Sequence, residues 1–171
     1  MAFLKIAQRN RMVKVAAAAA EARIAGATRY KTNLHEFRLA EGGMCARLAR
    51  QCCEEGQGLA DGDGEFGADS ARNLCEVAKG LGRVVDFNDA NAGDIGFWLD
   101  GYAGVYGHVA IWLGDWYGDG RKLWAENTSV AARGNPQKAG TKLTRKRPDG
   151  CTDPDELKAT IRPPTVVVRL T

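Results

Sequence analysis

A thiol, an imidazole and a carboxylate or carboxamide occur along this chain in an order that would support nucleophilic acyl transfer. Cys45 opens a helix-like run, Gly42-Gly43-Met44-Cys45-Ala46-Arg47-Leu48-Ala49-Arg50-Gln51, and about sixty residues later His108 begins the apolar stretch Gly107-His108-Val109-Ala110-Ile111-Trp112-Leu113-Gly114. A cysteine in the first turn of a helix meets unsatisfied backbone N–H groups and the positive end of the helix dipole, and both favour thiolate over thiol. The same N–H groups can hold a developing oxyanion, so Cys45 would supply the nucleophile and, through its own amide, part of the hole. An imidazole beside it accepts the thiol proton and returns it to a leaving amine. Either residue alone reads as ordinary; the pair points to covalent catalysis.

A third group must orient the imidazole, and Trp124-Ala125-Glu126-Asn127-Thr128-Ser129 offers two. Strand alternation sends Glu126 and Asn127 to opposite faces, so only one should touch His108. Glu126 would hold a charged imidazolium, Asn127 would orient it by hydrogen bonding alone, and the residue not used is expected to cap a turn. Six aromatics crowd this region: Trp98, Tyr102, Tyr106, Trp112, Trp116 and Trp124. Tyr102, Tyr106 and Trp116 lie in glycine-rich turns and are candidates for lining a groove for sugar or peptide.

The elements that would position these groups follow from periodicity and punctuation. Residues 4–24 hold helix formers without Gly or Pro and predict a first helix, which residues 26–41 break. A second helix is expected over 43–55, ended by Gly56 and Gly58, and a third over 69–79, with Asp69 or Ser70 as N-cap and Gly80 as stop. Short turn-bounded strands follow at 83–87, 94–99, 108–113 and 122–126, with a closing strand at 165–170. Helices first and antiparallel strands after give an α+β class. The whole chain reads as one domain: an N-terminal helix and loop (1–41), a catalytic core (42–129), and a basic loop with the closing strand (130–171).

At 171 residues with 44% hydrophobic and 26% charged content, the chain is long enough to bury a core without disulfides or metal. A net charge of +3 suits an anionic polymer but is too small to argue for nucleic acid. The basic stretch 131–154 reads as a loop or edge hairpin; it lacks the interleaved aromatics that stack bases, so no nucleic acid is expected. Five cysteines, an odd number without paired spacing, indicate synthesis in a reducing compartment, and Cys52 and Cys53 read as small buried apolar residues. Zinc-ligand spacing is missing, and the sequence from Asp61 to Gly67 fails the calcium-loop pattern, so no metal or cofactor is expected. His35 reads as surface or structural. The apolar run 15–20 is cut by Glu21 and Arg23, too short for a secretory signal, and no stretch reaches the roughly 20 apolar residues of a membrane span. The chain is therefore expected to be made in the cytoplasm without a conventional signal peptide. A substrate outside the membrane would be reached after lysis, by particle delivery or by non-classical secretion.

Taken in order, Met44-Cys45-Ala46-Arg47, Gly93-Asp94-Ile95-Gly96-Phe97-Trp98, Gly107-His108-Val109-Ala110-Ile111-Trp112 and Ala125-Glu126-Asn127-Thr128-Ser129 resemble the NlpC-type and CHAP-type papain-like cell-wall hydrolases. The resemblance covers roughly residues 42–129 and matches Gly93, Asp94 and Phe97 to the strand preceding the histidine strand. It implies a papain-like fold, cleavage of a peptide or amide bond in peptidoglycan, Cys45 as nucleophile and His108 as general base. NlpC-type members often carry Asp-Cys-Ser-Gly at the nucleophile and histidine as third residue. CHAP-type members commonly use glutamate with a nearby asparagine, which slightly favours Glu126 over Asn127. A phage lysin, a tail-associated hydrolase or a delivered effector would be the setting. A non-catalytic peptidoglycan-binding module and a thioester-forming acyltransferase are the alternatives on the same residues.

Overall fold

The computed structural model describes residues 2–67, 70–99, 106–128, 140–145 and 163–171. Helix α1 (Ile6–Ile24) begins where the Lys5 N–H donates to Gln8 Oε1 at 2.8 Å, and it buries Met12, Val13 and an alanine-rich face. Small side chains let a second helix lie close against it. That helix, α2 (Cys45–Gln57), starts at the proposed nucleophile and ends at Gly58 in the left-handed conformation. Between the two, where a break was expected, β1 (Arg29–Lys31) and β2 (Glu36–Arg38) form an antiparallel hairpin. Strands of three residues are too short to announce themselves by alternation.

Helix α3 (Ala71–Leu81) is capped by Ser70, whose hydroxyl accepts the Asn73 N–H at 3.2 Å. It runs past the expected stop. Gly80 is accommodated in the last turn, and the chain leaves at Gly82, whose N–H closes onto the Ala78 carbonyl at 2.8 Å and whose missing side chain makes room for the Arg169 carbonyl.

Six antiparallel strands complete the structure: β3 (Arg83–Val85), β4 (Ile95–Trp98), β5 (His108–Gly114), β6 (Leu123–Thr128), β7 (Gly140–Arg145) and β8 (Val166–Arg169), in the order β3-β8-β4-β5-β6-β7. The described part of the basic stretch is thus an edge strand. The strand expected over 83–87 stops at Val85, because Asp86 caps a 3-10 turn over Phe87–Asp89 by accepting the Asn88 N–H at 2.8 Å. Strand β6 extends two residues beyond expectation, which brings Asn127 and Thr128 into the sheet. The class is mixed α+β, with three helices and a six-stranded antiparallel sheet among the described residues.

Both faces of the central strands are buried, which is why they read as continuous apolar runs. Val109, Ile111, Leu123, Ala125, Phe97 and Val168 share the main core with the helices, while Trp98, Ala110, Trp112 and Trp124 form a second layer with Phe87 on the other face. Phe87 stacks on Trp124 with centroids 5.4 Å apart, and Trp112 lies 4.7 Å from Trp124. The closing strand is fastened by Arg169, whose guanidinium donates to both oxygens of the buried Asp94 at 2.8–3.2 Å. Asp94 also accepts the Asn91 N–H at 2.8 Å, so the Gly93-Asp94 pair sets the turn that launches β4. Among the described residues no helix is long and apolar enough to cross a membrane.

Candidate active site

The start of α2 is fixed from the sheet. Asn127 on β6 accepts the Met44 N–H with Oδ1 at 2.8 Å and donates from its amide to the Glu41 carbonyl at 2.8 Å and to Thr141 Oγ1 at 3.2 Å. Residues 41–44, including Gly43 at φ +76, are thereby pinned, and Cys45 follows as the first helical residue. The helix supplies no internal acceptor for the N–H of its first residue, so the Cys45 amide is placed to bind an oxyanion. Asn127 is 1% exposed and each of its bonds serves a partly or fully buried group. Its replacement by alanine is expected to destabilise the fold by about 2–3 kcal/mol and to slow alkylation of Cys45, read by thermal denaturation and by iodoacetamide kinetics.

His108 is 6% exposed and sits at the first position of β5. It is delivered there by Gly107, whose φ of +73 suits glycine and where an added Cβ would meet the Trp98 carbonyl at 2.9 Å. The β5–β6 ladder begins only at Ala110 opposite Glu126. The Val109 N–H, the Ala46 N–H and the His108 ring all act on the Cys45 sulfur in the sense that favours its thiolate. On the other side of the ring, Nε2 lies 3.4 Å from Glu126 Oε2, and the Trp98 ring packs 5.4 Å away. Glu126 is fully buried, and its Oε1 has no hydrogen-bond partner among the described residues.

This arrangement biases both protons. Burial pushes the Cys45 thiol up, but the hydrogen bond and positive charge of His108, with the two backbone N–H groups, outweigh it and hold the thiol below its ordinary value. Burial likewise opposes charge on His108, yet its bonds to Cys45 and Glu126 and their negative charges raise the imidazole to about 10. Each charge thus favours the other and biases the pair toward thiolate and imidazolium, the form in which a cysteine attacks and a histidine donates.

Three of the expected residues, Cys45, His108 and Glu126, thus come together, with Asn127 one step removed on the opposite face of β6 as alternation requires. No protein-family model matches the chain, and no curated protein matches it either. The site is thus read from its own geometry. Tyr106, 75% exposed and two residues before His108, flanks it. Trp116 follows the far end of β5, roughly 20 Å along the strand at about 3.3 Å per residue, and does not belong to the same cleft. Tyr102 lies outside the described residues. Trp98, one of the aromatics that crowd this region in the sequence, walls the imidazole. One contributor went unseen in the sequence: the Val109 N–H, at the end of β5 not paired with β6, which favours the ionised sulfur and leaves no signal in residue spacing.

A second polar cluster lies at the opposite end of α2. His35, expected as surface or structural, is buried in the hairpin turn, with Nδ1 2.9 Å from Glu55 and Nε2 3.0 Å from Glu54. His35, Glu54 and Asp61 approach closely enough to suggest a metal site. Arg50 takes that place instead, at 2.9 Å from Glu54 and 2.7 Å from Asp61, so the cluster is an ion-pair network. Cys52 and Cys53 are buried apolar fillers, and burial pushes the Cys53 thiol up to about 12, far from any nucleophilic role.

Proposed function

We propose that this chain is a papain-like cysteine hydrolase that cleaves a peptide or amide bond in the stem or cross-bridge of peptidoglycan. The observation that carries the reading is the grouping of Cys45, the first residue of α2, with the buried His108 ring, whose Nε2 lies 3.4 Å from Glu126 and whose charge and that of Cys45 stabilise each other. With Nε2 on Glu126, Nδ1 is the nitrogen left to face the thiolate. The Cys45 thiolate attacks the scissile carbonyl carbon, and the oxygen, now negative, is held by the Cys45 N–H. His108 gives its proton to the leaving nitrogen as the C–N bond breaks, leaving a thioester and a neutral imidazole. That imidazole then takes a proton from water, whose oxygen attacks the thioester; collapse releases a carboxylate product and restores the thiolate with the imidazolium. Glu126 holds the ring in orientation and stabilises its charge throughout.

Peptidoglycan as substrate rests on the resemblance of the cysteine, Gly-Asp, Gly-His-Val and Glu-Asn segments to the NlpC-type and CHAP-type hydrolases, Glu126 matching the CHAP-type third residue. A phage lysin, a tail-associated hydrolase or a delivered effector fits such an activity. The test is mass spectrometry of muropeptides after incubation of purified peptidoglycan with the full chain and with Cys45→Ala. Paired new amine and carboxyl termini that vanish in Cys45→Ala are expected. Hydrolysis retained by Cys45→Ala would overturn the mechanism, wall binding without products would mark a binding module, and transfer without a new carboxyl would mark an acyltransferase.

A further inference from the structure

On the sheet face away from the helices, beyond the end of β5, lies a groove of about 370 Å³, within the roughly 300–1,000 Å³ of small-ligand sites. Its lining includes the aromatics Trp112, Phe87 and Trp116, the amides of Asn88 and Asn91, and Lys122. It is far from Cys45, since His108 and Trp116 bracket the whole of β5. The composition is specific in kind. Trp116 is 40% exposed and offers a flat apolar face, and the Asn88 and Asn91 side-chain amides have no hydrogen-bond partner among the described residues. An amide donates and accepts at once, as a sugar hydroxyl does, while an indole covers the C–H face of a pyranose ring. Lys122 is offset by Asp115 on the same rim, so the groove has no net charge with which to select an ion.

The aromatic wall is also held in place before any ligand arrives. Asp115 Oδ1 accepts the Gly120 N–H at 3.0 Å, the Tyr117 hydroxyl donates to the Glu21 carboxylate of α1, and the Arg121 guanidinium lies 5.5 Å from the Tyr117 ring centre. A loop so fastened spends less entropy on ordering when a ligand binds. We propose that this groove is a saccharide subsite that takes an N-acetylhexosamine unit of a glycan strand, remote from the bond that is cut. The choice of that sugar rests on the peptidoglycan reading; the presence of a sugar site rests on the groove. A strand held here would keep the enzyme on its polymer while the peptide is presented to Cys45.

The experiment is titration of the full ¹⁵N-labelled chain with tetra-N-acetylchitotetraose, following the Trp116 indole N–H signal, assigned from Trp116→Phe, and the backbone amides of residues 88–92 and 112–115, which report on every variant. Saturable movement of these signals is expected, with affinity about tenfold weaker in Trp116→Ala and about threefold weaker in Asn91→Ala. No saturable movement, or equal affinity in wild type and Trp116→Ala with the dispersed spectrum of a folded protein, would overturn the proposal. The two readings fail separately. Saccharide binding by a chain that does not hydrolyse peptidoglycan removes the hydrolase and leaves the groove, and hydrolysis without saccharide binding does the reverse.

Discussion

Replacement of His108 by alanine is expected to lower peptidoglycan hydrolysis on the order of 10³–10⁴-fold and to move alkylation of Cys45 to higher pH. The size follows from two losses at once, the proton donor to the leaving amine and the counter-charge that keeps the sulfur ionised. In the intact protein the depressed thiol ionises below its ordinary range, and His108 stays charged until pH approaches about 10. The thiolate–imidazolium pair therefore exists between those limits. Alkylation by iodoacetamide should rise at lower pH than for an ordinary thiol and fall away as pH drops through the lowered thiol value. Without His108 the remaining dominant influence on Cys45 is burial, which raises the thiol, so the rate at pH 7 should drop and climb only through the ordinary thiol range near about 8.5 or above. Superimposable alkylation profiles for wild type and His108→Ala would show that the imidazole does not govern the sulfur, and the proposed chemistry would fall with it.

What the sequence could reveal about this site follows from how local each determinant is. Cys45 at a helix start is a local fact: glycines at 42 and 43, then a run of helix formers, suffice to place it. His108 opening an apolar strand after Gly107 is equally local, since the glycine takes the positive φ with which the chain enters β5. The choice between Glu126 and Asn127 is not local. Alternation separates them, but which face meets the imidazole depends on the β5–β6 register, which sets Glu126 opposite Ala110 and so on the face of His108, a tertiary pairing with no residue signature. In that register Glu126 reaches His108 and Asn127 turns to residues 41–44, so two adjacent side chains serve the same site from opposite faces. Trp116, near His108 in sequence, lies beyond the far end of β5, because the length of the intervening strand separates them.

His35 is where the sequence said least and where stability is expected to respond most. Its side chain, with those of Glu54 and Glu55, is at most 1% exposed, and both ring nitrogens face carboxylate oxygens, a geometry in which both can donate only when the ring carries two protons. The cluster joins four parts of the chain. Thr32 in the hairpin turn donates to Glu55, Arg11 of α1 reaches Glu55 at 3.2 Å, Arg50 grips Glu54, and the Gly62 N–H donates to Glu54 at 3.1 Å. Alanine at 35 leaves two buried carboxylates short of a partner at the centre of this network, a loss of about 3–5 kcal/mol, whereas pairing it with Glu54→Gln and Glu55→Gln should recover a good part by removing the stranded charge. The pH dependence has a definite sign. Burial raises the Glu55 carboxyl, but Thr32, His35 and Arg11 lower it further, so its contribution is full above the ordinary carboxylate value and is lost as pH falls through the depressed one. Removing His35 takes away one of those three restraints, and the acid-unfolding midpoint should move to higher pH. Urea denaturation of wild type, His35→Ala and the triple variant at neutral and acid pH measures both effects. A single variant as stable as wild type would mean that the arginines alone satisfy the buried carboxylates and that the imidazole fills space without holding the hairpin to α2.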